Sequence, residues 1–264
     1  MSQISPIYIR ISADDLTLAR PTSQNTPVYR HRLNRRVSFT LNLREALAAA
    51  PMEITADATL AEVYATAPVC VVPLTEFNES EAAEHYATTF RAENKNRILC
   101  DGIPTLESVL IYAIPESVFR TLEDTFSQIR YHNALTPILQ RGPMTISDEN
   151  TILAYIHEDQ TDAILWKGRK LLVINNFTTK HINDAVFFIL GMSQAIGIPA
   201  AELRAIVVGE KRKRVALIEA LSSFVTTSDG NDSSTLAAQS SENPIPYPLA
   251  CALTLPHTFS SGQK

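Results

Sequence analysis

The chain has 264 residues, 45% hydrophobic and 19% charged, and its 23 lysines and arginines against 28 aspartates and glutamates leave a formal net charge of −5. A negative chain has no general attraction for nucleic acid, which excludes a basic arm or a polyanion binder, and the apolar content suffices for one large domain or two modest ones. Only 8 glycines are present, although most nucleotide-phosphate loops need glycine so that backbone amides can approach the anion.

In chain order, Ile7–Ile11 (IYIRI) reads as a strand, SADD as a turn, Leu16–Ala19 as a second strand, and Val28–Leu33 or Val37–Leu41 as a third. A helix is expected from about Asn42, and a weaker one over Thr59–Ala67. Val69–Pro73 (VCVVP) reads as a buried strand, followed by a helix over Ser80–Phe90 with Ala83, Tyr86, Ala87 and Phe90 inward. Ile98–Cys100 and Val109–Ile114 add strands, and Ser117–Ile129 a helix with Val118, Leu122, Phe126 and Ile129 on one side.

The second half is clearer. Thr151–His157, Asp162–Trp166 and Lys170–Phe177 are three β-rich runs joined by short turns, an antiparallel meander. From Thr179 to Ile196 the apolar residues recur at three- and four-residue steps and end at Gly197 and Pro199, the pattern of an amphipathic helix with its stop. Leu203–Val208 is a short buried strand, and Val215, Leu217, Ile218, Leu221 and Phe224 mark a further helix. Setting Asp14 against Asp159 brings the halves into one order, so residues 1–142 and 143–264 are expected as two related β-β-β-α-β-α units of an α/β protein with mixed sheets, joined near Gly142–Pro143. The polar stretch Thr226–Pro248 is expected as a mobile loop, Leu249–Leu255 as a last short core element, and HTFSSGQK as a frayed tail.

The N-terminal MSQISPIYIRIS lacks the order of a secretory signal, no apolar run approaches the ~18 residues of a spanning helix, and Cys70, Cys100 and Cys251 are odd in number and widely spaced. A cytoplasmic location, with reduced thiols and no direct membrane insertion, is expected.

Duplicated β-β-β-α-β-α halves closed by a short apolar element resemble the actin-like ATPase superfold, related to the ribonuclease H fold. Within it, VLIYAI at Val109–Ile114 before a helix-opening PES at Pro115, and the meander ILAYIHEDQTDAILWKGRKLLVINN, are distantly similar to the branch containing PilM and FtsA. The chain as a whole resembles an uncharacterised bacterial family assigned this fold. The resemblance implies a phosphate-binding turn of the type Asp-x-Gly-x-x-Thr in each half. The corresponding turns here are Ser12-Ala13-Asp14-Asp15-Leu16-Thr17 and Glu158-Asp159-Gln160-Thr161-Asp162, and neither has a glycine. A Cβ in each loop and extra carboxylates facing a polyanion oppose tight phosphate binding. An adenosine-binding Gly-Gly would fall at Ile206–Glu210, where Gly209 alone remains.

The candidate cofactor-binding residues are therefore Asp14, Thr17, Asp159, Thr161 and Gly209, in a nucleotide site read as degenerate, with ATP and magnesium as the alternative ligands. Asp14, Asp15 and Asp159 could instead hold metal ions in a ribonuclease H-like nuclease, although Asp is also a favoured turn residue. Arg30, Arg32, Arg35 and Arg36 form a dense basic cluster, either a grip for an acidic protein partner or a phosphate, or a charged hairpin edge. Lys211–Arg214 opens a helix against its macrodipole, which reads first as a solvated loop before the helix and otherwise as a site for an anion or acidic partner. His132, His157 and His181 lack metal-ligand spacing and read as structural, and Trp166 reads as core. The reading favoured is a non-catalytic actin-like scaffold or interaction module with a protein partner and without nucleic acid. An ATPase or kinase and a metal-dependent nuclease are the alternatives.

Overall fold

A computed structural model describes residues 5–22, 25–90, 95–142, 150–231 and 245–255. The chain opens with a meander of β1 (Ile7–Ile11), β2 (Asp15–Ala19) and β3 (Val28–Arg32), paired antiparallel. Helix α1 (Phe39–Ala49) starts at Ser38, whose hydroxyl accepts from the Leu41 amide. A short α2 (Met52–Thr55) then leads to β4 (Leu60–Ala65), which runs parallel to β1. A separate antiparallel sheet follows, built from β5 (Val69–Pro73), β6 (Asn96–Ile103) and β7 (Ser108–Pro115) in the order β5-β7-β6, with α3 (Ala82–Thr89) packed on it through Ala82 and Tyr86. Helix α4 (Glu116–Thr125) returns the chain to the first sheet, where β8 (Gln128–Asn133) pairs parallel with β4, and α5 (Thr136–Arg141) follows.

The second half repeats this order. β9 (Asn150–His157), β10 (Gln160–Lys167) and β11 (Lys170–Thr178) form the meander, α6 (Ile182–Ala195) crosses to β12 (Leu203–Gly209), and α7 (Lys211–Leu221) crosses to β13 (Thr226–Asp229), before α8 (Tyr247–Thr254). The five-stranded sheets run β3-β2-β1-β4-β8 and β11-β10-β9-β12-β13, with β12 parallel to both β9 and β13. The two sheets therefore share one topology, position for position.

Both faces of each central strand are covered. Ile7 and Ile9 of β1 meet Leu43 and Ala46 of α1 and Leu122 of α4, while Tyr8 on the opposite face meets Leu249 and Ala252 of α8. In the second sheet Ile152, Ala154 and Ile156 meet Ala185, Ile189, Leu217 and Leu221 of α6 and α7, while Leu153 and Tyr155 meet Leu135, Ile138 and Leu139 around α5 and Ala250 and Cys251 of α8. Helix α8 thus packs on both sheets, and α5, though it ends the first half, packs on the second. Each fully buried Leu or Ile side chain among these contributes roughly 1.5–3 kcal/mol. Trp166 is fully buried in the same layer, as expected from its strand.

Several expectations are corrected. Thr59–Ala67 is not helical but carries β4: Ala and Glu favour helix in isolation, but Ala61 and Val63 on one face and Tyr64 on the other fill both sides of a strand. Ile129 belongs to β8 rather than to α4, and β8 and α5 had no counterpart in the sequence reading. The third strand is the Val28 segment, since α1 begins at Phe39. Ala83 and Ala87 of α3, Val215 of α7 and Phe224 beyond it are exposed, so the inward faces of both helices are narrower than their apolar content suggests. The stretch expected as one loop begins with β13, which pairs with β12 despite its polar sequence, and Tyr247 and Pro248 already belong to α8. The remainder of that stretch from 232 to 244, Pro143 of the expected junction, and the tail HTFSSGQK lie outside the described residues.

Candidate functional site

The two hairpin turns that the sequence points to, between β1 and β2 and between β9 and β10, meet across the halves. Arg10 joins them. On β1, Ile7 and Ile9 face one way and Tyr8 and Arg10 the other, so the guanidinium leaves the strand toward the second half. It is 2% exposed. Its Nη1 lies 3.4 Å from Asp15 Oδ1 and its Nη2 lies 3.2 Å from Glu158 Oε1.

Each carboxylate is further satisfied. Asp15 accepts Arg30 at Oδ2 and the Thr17 hydroxyl at Oδ1, 3.1 Å away. Glu158 Oε2 lies 3.3 Å from His157 Nδ1, whose Nε2 is 2.8 Å from Asp162 Oδ2. Asp162 Oδ1 in turn accepts Asn176 at 2.6 Å. Lys213 of α7 donates to the Glu158 backbone carbonyl. Burial alone would raise the Glu158 carboxyl, but hydrogen bonds from His157 and Ser12 and the charge of Arg10 pull it down to about 2. Burial likewise opposes charge on His157, yet Asp162 and Glu158 outweigh it and raise the imidazole above its ordinary value. A chain of alternating charge, Arg30, Asp15, Arg10, Glu158, His157, Asp162, therefore runs through the junction.

The backbone amides of the first turn are committed, and in the second turn the Asp159 carbonyl accepts the Thr179 amide at 2.8 Å. The Ser12 hydroxyl oxygen accepts from the Asp14 and Asp15 amides at 3.3 and 3.1 Å, and the Ser12 amide donates to the Asp15 carbonyl at 3.0 Å. Glu158 sits at φ +44°, in the left-handed region where phosphate turns use glycine.

Of the sequence candidates, Asp14 lies on the rim, bonded to Arg35. Asp159 is exposed, 3.9 Å from Lys213. Thr17 and Thr161 are both fully buried, the second bonded to Thr179 at 2.9 Å. Gly209 ends β12 at φ +127°, and a Cβ there would stand 2.0 Å from the Ile156 carbonyl oxygen. Close approach of β12 to β9 therefore demands this glycine. Its amide is taken by Asn231 Oδ1 at 3.1 Å and its carbonyl by Arg214 at 2.8 Å. Arg30 and Arg35 are spent on Asp15 and Asp14, while Arg32 and Arg36 are exposed and carry no ion pair among the described residues. The structure thus gathers Asp15, Arg30 and Glu158 around Arg10, and leaves Thr17, Thr161 and Gly209 inside the sheets.

A triphosphate with its metal does not fit these residues. Phosphate oxygens need free amide donors, but the first turn's amides at Asp14 and Asp15 already bond Ser12. An anion between the turns would face Asp15 and Glu158 and would have to displace the Arg10 bridge. No three His, Cys, Asp or Glu side chains among the described residues are grouped so as to hold a metal ion.

Sequence reasoning passed over Arg10 and read Glu158 only as part of the second turn. The available signal was an arginine inside an otherwise apolar strand directly before the first turn. His132 sits in a polar cluster of its own. It lies 3.1 Å from Glu62 and 3.6 Å from Asp101 and stacks on Tyr64, and although burial opposes its charge, the two carboxylates raise it to about 9. His181 caps α6 together with Asp184.

No helix among the described residues is long and apolar enough to cross a membrane, and the three cysteines are free. No curated protein matches the chain. Among solved structures, the chain is similar to a Bacteroides thetaiotaomicron protein with an actin-like ATPase fold and unknown function, at 15% identity and TM-score 0.82, covering 97% of each chain. It is also similar to a chain of the PilM-PilN type IV pilus biogenesis complex, at 13% identity and TM-score 0.55, covering 95% of this chain and 97% of that one. At these identities the likeness establishes the fold, a mixed α/β chain of the actin-like ATPase type. A family model matches residues 36–227, and the chain belongs to the family described as "Protein of unknown function (DUF3822)".

Proposed function

We propose that this chain is a non-catalytic, cytoplasmic actin-like scaffold or protein-interaction module, whose halves, 1–142 and 143–264, are held together by their own side chains instead of by a nucleotide. The observation that carries this reading is the buried Arg10 bridge from Asp15 to Glu158, which joins the turns that resemble phosphate-binding turns. The glycine-free turns and the engaged Ser12 turn support it. The PilM-PilN complex supports a role in a protein assembly.

Melting the protein with millimolar ATP and magnesium tests the reading. A ligand present at a hundred times its Kd adds about 2.7 kcal/mol to stability, an easily measured rise in Tm. The expected result is an unchanged Tm. A clear rise that Asp159→Ala abolishes would replace this reading with that of an ATP-binding enzyme.

A further inference from the structure

We propose that the outer edge of β11, from Val173 to Phe177, is a docking edge for an extended segment of a partner protein that is apolar at its centre and acidic at its ends. This rests on the interaction-module reading above and names its surface. An unpaired strand edge is a template for another chain, and proteins guard it with charge, proline or shortness.

The other edges here are guarded. β3 carries exposed Arg30 and Arg32, β8 carries Arg130, β6 carries Arg97, β5 ends in Pro73, and β13 has four residues. β11 has nine residues and a bulge near its start, where the register shifts opposite Leu165 and Trp166. Beyond that bulge Val173–Phe177 (VINNF) has neither charge nor proline, and no strand among the described residues pairs with its outer side.

An apolar shelf adjoins this edge. Phe177 stacks on Phe188 of α6 at 4.6 Å, and Phe187 beside it is 71% exposed. A strand added outside β11 would place alternate side chains against that shelf.

The charges select the occupant. Lys167, Arg169 and Lys170 at one end of β11 and Lys180 just past the other are exposed and carry no ion pair among the described residues. In a second copy paired antiparallel about Ile174 and Asn175, the Arg169–Lys170 end would fall beside Lys180, bringing like charges together at both ends. A segment with acidic ends meets cations at both.

The test uses fluorescence anisotropy of the full chain with three synthetic peptides sharing an alternating Val/Thr centre: one with Glu at both ends, one with Lys at both ends, and the Glu-ended one N-methylated at alternate residues to remove its backbone donors. The Glu-ended peptide is expected to bind, with affinity at least about tenfold weaker for R169E/K170E and weakened by Phe187→Ser. The Lys-ended and N-methylated peptides are expected not to bind. No binding of the Glu-ended peptide, equal binding of all three, or a dimer by sedimentation that R169E/K170E strengthens through this edge would overturn the proposal. None of these outcomes bears on the ATP melting experiment, so the two readings fail separately.

Discussion

Arg10→Met is expected to lower the free energy of unfolding by about 3–5 kcal/mol, the cost of leaving buried carboxylates without their cation. Asp15 keeps Arg30 and Thr17, but Glu158 keeps only His157 and Ser12, and Asp15 stays buried while Glu158 stays largely so. Neutralising the acids separates lost charge pairing from lost packing. The triple variant R10M/D15N/E158Q is expected to recover much of the loss, because a polar network replaced as a whole costs less than one broken in the middle. Urea denaturation of the three proteins reads this directly.

The acid limb gives a second readout. The Glu158 carboxyl is depressed to about 2 in the folded chain, so its contribution is present above the ordinary carboxylate range and is lost as pH falls toward 2. That loss is expected to shrink in Arg10→Met. An Arg10→Met protein as stable as the wild type would remove the bridge from the account.

Gly209→Ala is the other large effect, a loss of at least about 3 kcal/mol in the same urea assay. The residue holds φ +127°, a conformation that L side chains rarely adopt, and its new methyl would stand 2.0 Å from the Ile156 carbonyl oxygen. Backbone cannot rotate away as a side-chain tip can, so β12 must separate from β9 in the middle of the second sheet. A mild Gly209→Ala would mean that β12 does not sit as described. The same residue illustrates how a single feature supports two explanations. In the sequence it stands where the resemblance would put an adenosine-binding loop, and in the structure a close strand approach accounts for it without any ligand.

Much of the fold was legible because its period was. β1 and the β9–β11 meander are apolar runs bounded by turn residues, and α6 repeats at helical spacing. β4 was not legible, because TLAEVYATA consists largely of helix formers and becomes a strand only when both its faces are covered. β8 and β13 were missed for the opposite reason. QIRYHN and TTSD are too polar to announce a strand, but each stands at a sheet edge, where pairing with one parallel neighbour is enough.

The site was half legible. Its turns and their missing glycines stand in the sequence, as does the cluster around Arg30. What joins them does not, because the Arg10 to Glu158 contact spans 148 positions and depends on how two sheets are set against each other by α5 and α8. An arginine in an apolar strand shows that a partner must exist without showing which acid it is.

The claim that the halves close on their own side chains is tested most directly by hydrogen exchange at the two turns, Ser12–Asp15 and Glu158–Asp159, with and without millimolar ATP and magnesium. The account predicts slow exchange at the Asp14 and Asp15 amides without nucleotide, since Ser12 holds both, and no change when nucleotide is added. Fast exchange that becomes protected only with ATP would contradict it.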